Sequence, residues 1–95
     1  MSKIVLKGKL FKWEGPSAWY FLSSTKAQGE EIRKHVKSTK GWRSVPVSVS
    51  IGKTKFKTSL FPTKEGPFLM PVKASVRKAE GLEDKDPVTA TCVYL

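Results

Sequence analysis

Apolar and polar residues alternate with period two over much of the chain. Ile4, Leu6, Gly8 and Leu10 fall on one side of an extended segment, and Val5, Lys7, Lys9, Phe11 and Trp13 fall on the other. Alternation of this kind, rich in β-branched and aromatic residues, predicts a strand. Glu14-Gly15-Pro16-Ser17 signals a turn. Ala18 to Leu22 then returns as a short strand, so the two read as a hairpin. Val45, Val47, Val49 and Ile51 alternate with Pro46, Ser48 and Ser50. Pro46 places the start of that strand at an edge or a bulge, since proline cannot donate to a ladder. After a tight turn at Gly52-Lys53, Thr54 to Phe61 carries Phe56, Thr58 and Leu60 on one side and Lys55, Lys57 and Ser59, in line with Lys53, on the other. Pro62 to Gly66 turns again, and Phe68, Met70 and Val72 continue as a strand. Val88, Ala90, Cys92 and Tyr94 alternate in the last strand, which follows the polar turn Glu83 to Pro87.

The period changes in two places. Thr25 and Gln28 have capping-box spacing, and Ile32 and Val36 lie four apart on one face. Glu30 and Glu31 precede Arg33, Lys34, His35 and Lys37, the order that a helix dipole favours. These signals predict a helix of about three turns ending before Gly41, weakened by up to ~1 kcal/mol at Gly29. Lys73 to Ala79 reads as a second, short helix with Gly81 as its stop. The predicted order is β-β-α-β-β-β-α-β, an α+β chain that is mostly β. Many strands and two short helices fit a small β-barrel capped by the helices. Short connections make residues 1–95 one domain.

Composition narrows the picture. A chain of 95 residues is too short for two ordinary domains, and 39% hydrophobic with 11% aromatic residues is too apolar for a disordered basic tail. No apolar run approaches the ~20 residues that span a bilayer, and the apolar start Ile4-Val5-Leu6 is too short for a secretory signal. With Cys92 as the single cysteine, no internal disulfide can form, which fits a reducing, cytoplasmic setting and no membrane partner. The formal charge is +10, and all of the excess lies in residues 1–57, where thirteen basic residues meet three acidic ones. Residues 58–95 are balanced. Such asymmetry points to a polyanion, and a soluble lysine-rich surface accounts for the same count.

Three stretches carry a further resemblance. They are Gly15-Pro16-Ser17-Ala18-Trp19-Tyr20-Phe21, then Ile51-Gly52 through Phe56 to Thr58-Ser59-Leu60-Phe61-Pro62, then Leu69 through Pro71-Val72-Lys73-Ala74 and Val76-Arg77-Lys78-Ala79 to Gly81. Over about Lys3 to Leu95 the chain resembles a small bacterial and archaeal family of unknown function. In some members that domain is the companion of a bacteriocin-protection domain of the YdeI/OmdA type. The resemblance implies a double-split β-barrel, similar to the AbrB and MazE class, with both halves in one polypeptide. It carries no activity with it. The family tends to have Gly-Asp before its last strand; here the pair is Lys85-Asp86.

The chemistry available is sparse. His35 is the only histidine and is expected to be solvated; Cys92 is expected in the core. A Cys-His nucleophilic pair would need contact between them, which nothing in the pattern requires. Glu83, Asp84 and Asp86 read as a solvated acidic turn, with cation ligation as the less favoured alternative. We expect no catalysis, no cofactor and no metal.

Binding offers more. Lys53, Lys55 and Lys57 lie at i, i+2 and i+4, which on a strand share one face. Phosphate contact is one reason for such a row, and protection of an edge strand is another. Lys40, Trp42 and Arg43 form a second candidate for DNA or RNA, with Trp42 either stacking on a base or plugging the barrel end. A different class is a protein-interaction or small-ligand site. Lys73 and Arg77 share a helix face where Arg77 can fork an anion, with Thr58 and Ser59 as candidate hydroxyls. The competing reading pairs Arg77 with Asp84 or Asp86. Trp19 is expected in the core or in a shallow pocket, and Trp13 at a surface or interface. The expectation is a non-enzymatic binding module, monomer or homodimer, with nucleic acid ahead of a protein or ligand partner.

Overall fold

The computed structural model describes residues 3–13, 19–36 and 44–95. Over half of these lie in strands. The elements are β1 (Lys3–Lys9), β2 (Phe11–Trp13), β3 (Trp19–Ser23), α1 (Lys26–Arg33), β4 (Val45–Ile51), β5 (Thr54–Pro62), β6 (Phe68–Pro71), α2 (Ala74–Glu80) and β7 (Pro87–Tyr94). The strands form one antiparallel sheet in the order β1-β7-β4-β5-β6-β3-β2. Its two outermost strands are joined through the single residue Leu10, so the sheet curls on itself into a half-barrel.

The first expected strand is thus two. Leu10 leaves the ladder because its N–H donates to the Asp86 carbonyl at 2.8 Å and its carbonyl accepts from Lys85 N–H at 2.6 Å. Both partners belong to the turn before β7. The chain bends there and passes from β7 to β3 as neighbour. β5 does something similar: Thr54 to Leu60 pair with β4, and Phe61 and Pro62 pair with β6.

The alternation in the sequence sorts the side chains as its period requires. Ile4, Leu6, Leu10, Leu22, Val45, Val47, Val49, Leu60, Phe68, Met70, Val72, Val88, Ala90 and Cys92 face inward and are buried. Pro46 is tolerated beside β7 because the ladder stops there: it pairs beyond Val47–Tyr94, and its carbonyl accepts from Leu95 N–H at 3.2 Å.

Helix α1 is shorter than the pattern predicts. It runs for eight residues, and its last turn tightens as Lys34 N–H reaches the Glu31 carbonyl. The capping box is present, with Gln28 N–H to Thr25 Oγ1 and Thr25 N–H to Gln28 Oε1, each 3.1 Å. Gln28 also donates through Nε2 to the Val5 carbonyl at 2.6 Å, which ties the helix to β1. Because the helix begins at Lys26, Glu30 and Glu31 lie beyond its first turn. Ile32 enters the core, and Gly29 lies against Gly66 and Pro67. His35 is half-buried, not solvated: its ring stacks on Tyr94 with centroids 3.7 Å apart. Helix α2 ends as predicted at Gly81, whose φ of 63° needs a left-handed residue. Among the described residues no helix is long and apolar enough to cross a membrane.

Candidate functional site

Two surfaces gather the residues that the sequence singles out. The first is the outer face of β1, β7, β4 and β5. Residues directly opposite in adjacent strands share a face, so the registers place lines of side chains across it. One line runs Lys57, Ser48, Val93, Lys3, and the next runs Lys55, Ser50, Thr91, Val5. Lys7 and Lys9 continue along β1 beside Thr89 and Pro87. Lysines therefore stand on both margins, roughly 14 Å apart at three strand spacings, with small and hydroxyl side chains between them. Lys3, Lys7, Lys9, Lys55 and Lys57 are all exposed. None of the four strands contains an acidic residue. The ion pair found among the described residues, Lys34 with Glu31 at 3.5 Å, lies on α1 and leaves this face unneutralised.

Lys53 is in the turn, not the strand, and Gly52 before it takes φ 58°. Lys55 and Lys57 lie on a stretch of β5 that pairs with β4 alone, because β6 joins β5 only at Phe61 and Pro62. β5 lies between β4 and β6 in the strand order. Alongside its first residues α2 takes the flank away from β4, where Thr54 Oγ1 donates to Glu80 Oε2 at 2.6 Å. Edge protection therefore accounts for Lys55 and Lys57 as well as for the lysines of β1, an outermost strand.

The second surface is a cleft of about 370 Å³ between β3, β5 and the start of α2. Tyr20 and Phe56 line it, and Trp19 stands at its rim with 54% of its surface exposed. Period two explains why Trp19 is not a core residue: Tyr20 and Leu22 face inward, which turns Trp19 and Phe21 outward. Lys57, Thr58, Lys73 and Arg77 also line the cleft, and Ser59 does not. Residues from the two competing binding hypotheses thus meet in one place.

Arg77 does not pair with Asp84 or Asp86. Those carboxylates accept from the backbone N–H groups of Lys12 (3.0 Å) and Glu83 (2.8 Å). The Arg77 guanidinium lies 3.8 Å over the Tyr20 ring, and its Nε donates to the Val72 carbonyl at 3.3 Å. The Lys73 ammonium sits 5.9 Å from the Phe56 ring centre. Arg77 was legible as a candidate from its helix position, but its neighbour Tyr20 was not, because the two are far apart in sequence.

Beyond Trp19 the outer face of β2, β3 and β6 is aromatic. Trp13, also half-exposed, meets Phe21 edge-on at 6.2 Å, and Trp19 stacks on Phe21 at 6.3 Å. Phe61 and Leu69 complete that shallow groove. Cys92 is buried beside Met70, its Sγ 3.9 Å from the methionine sulfur, and burial pushes its thiol up to about 11. Among the described residues no group of acids, His and Cys is placed to hold a metal ion. Lys40, Trp42 and Arg43 lie outside the described residues.

Residues 7–92 fit the model of a family described as a domain of unknown function, DUF1905. No curated protein matches the sequence.

Proposed function

We propose, for a chain that belongs to the DUF1905 family and takes no activity from its description, a non-enzymatic module that binds nucleic acid through the outer face of β1, β7, β4 and β5. The observation that carries this reading is the pair of lysine margins flanking an acid-free, hydroxyl-surfaced sheet. Clustered like charges repel, and releasing condensed counterions from a phosphate backbone turns that cost into affinity. Ammonium groups on flexible stems contact phosphates without reading bases, so the binding is sequence-tolerant. The half-exposed indoles of Trp13 and Trp19 lie on the adjoining surface, which favours single strands whose bases are free to stack.

Two finer assignments accompany this reading. The half-barrel is taken as a double-split barrel similar to the AbrB and MazE class, supported by β1/β2 and β5, each of which changes neighbour part-way along. The setting is taken as cytoplasmic, supported by a lone, buried thiol.

The test is fluorescence anisotropy with labelled single-stranded DNA, single-stranded RNA and duplex DNA at low salt. Wild type is expected to bind both single strands, and a Lys53→Glu/Lys55→Glu/Lys57→Glu variant is expected to lose most of that affinity. Equal binding by the variant would refute the assignment of this face.

A further inference from the structure

The cleft between β5 and α2 has a chemistry that sequence-tolerant phosphate contact does not use. Its Arg77 is held from two directions, by the Tyr20 ring against one face of the guanidinium and by the Val72 carbonyl on Nε. The terminal nitrogens of that fork have no partner among the described residues. A planar fork fixed in this way, with no carboxylate beside it, is pre-organised for two parallel hydrogen bonds to an anion. Lys73 and Lys57 bring the cations on the lining to three, and no acidic residue lines the cleft. Three positive charges suit a phosphate monoester, which carries about −1.5 to −2 at neutral pH, better than a single carboxylate.

The rest of the lining is flat and apolar. Phe56, largely buried with Lys73 over its ring, lies at the base, and Trp19 offers half of its indole at the rim. A planar ring stacks favourably on such a side chain. The Thr58 hydroxyl has no hydrogen-bond partner among the described residues and faces the same space. A volume of about 370 Å³ falls within the usual range for small-molecule sites.

We propose that this cleft binds a small molecule in which a planar ring and a phosphate monoester are joined, of the nucleoside-monophosphate class. Arg77 and Lys73 hold the phosphate, and the exposed Trp19 indole takes the ring. The site borders the sheet face proposed for polyanion and shares Lys57 with it, while Lys73 and Arg77 belong to the cleft alone, so substitutions at those two test it separately.

Isothermal titration with adenosine 5′-monophosphate tests this, with adenosine, ribose 5-phosphate and inorganic phosphate as parallel arms. The nucleotide is expected to bind at least tenfold more tightly than any of the three fragments, with quenching of tryptophan fluorescence. Arg77→Gln is expected to weaken it at least tenfold. Because Arg77 also packs on Tyr20, Lys73→Gln provides an exposed substitution that leaves the fold intact, and it is expected to weaken binding several-fold. Lys55→Gln, on the sheet face, is expected to leave nucleotide affinity unchanged. No nucleotide binding at low-millimolar concentration would overturn the proposal. So would inorganic phosphate or adenosine binding as tightly as the nucleotide, or unchanged affinity in both Lys73→Gln and Arg77→Gln.

Discussion

Replacing Gly29 by alanine reverses the sign that helix propensity alone predicts. Gly29 lies inside α1, where alanine ordinarily stabilises a helix by about 1 kcal/mol. Here a methyl group would meet the Gly66 carbonyl oxygen well inside contact distance, with Gly66 C at 3.0 Å and Pro67 Cα at 3.3 Å. All three atoms are backbone, so no side chain can swing away. The loop that carries them is itself fixed, since Thr63 Oγ1 and N–H both bond the Pro67 carbonyl. Phe68 N–H next to it bonds Ser24 Oγ at 2.8 Å just before the helix. Forcing a methyl into a contact with rigid backbone costs about 2–3 kcal/mol, the upper part of the overpacking range, and after the propensity gain of about 1 kcal/mol the net loss is about 1–2 kcal/mol. For a domain of this size that lowers the thermal midpoint by roughly 5–15 °C. Urea unfolding followed by tryptophan fluorescence and circular dichroism measures it. A Gly29→Ala protein as stable as wild type, or more so, would refute the packing of α1 on the Gly66-Pro67 loop.

Two further outcomes follow from local features. Lys85 is the one non-glycine residue with positive φ among those described, at 72°, in the turn before β7. Relieving a left-handed conformation worth about 1–2 kcal/mol, less the extra chain entropy of glycine, makes Lys85→Gly more stable by about 0.5–1 kcal/mol, and a lowered melting midpoint would contradict this. Cys92 titrates in the unfolded chain near 9 and in the folded protein at about 11, because burial disfavours the thiolate. The raised value means that its contribution is complete below pH 9 and is lost as pH rises through 11. The stability gap between wild type and Cys92→Ala is therefore expected to narrow above pH 9, and native protein is expected to resist thiol alkylation at pH 8. A gap independent of pH, or rapid alkylation, would contradict the buried placement.

The inward face of the half-barrel was legible because strand period and burial agree along most of its strands. Val45 to Ile51 and Val88 to Cys92 are buried at alternate positions, Phe56 and Leu60 are buried on β5, and Thr25 caps its helix with Gln28. What the pattern does not contain is long-range. The break at Leu10 depends on Lys85 and Asp86, which are bonded to it only after the chain has folded. Trp19 follows period two outward even though its size argues for the core. The two lysine margins come from β1 and β5, strands that only the sheet order relates to each other. The value of Gly29 lies in its contact with Gly66, whereas its helix propensity alone reads as a weakness. Arg77 was a candidate in the sequence, and its aromatic support became visible only in three dimensions.

The central claim is that the lysine-margined sheet face takes the phosphates of a single strand. A titration of single-stranded DNA or RNA affinity against salt concentration tests it most directly. Each phosphate neutralised contributes about −0.7 to the slope of log affinity against log salt for single strands. Four or five engaged lysines therefore predict a slope of about −3, and Lys55→Gln/Lys57→Gln is expected to reduce its magnitude by about 1.4. Absence of binding at low salt, or an unchanged slope in that variant, would contradict the account.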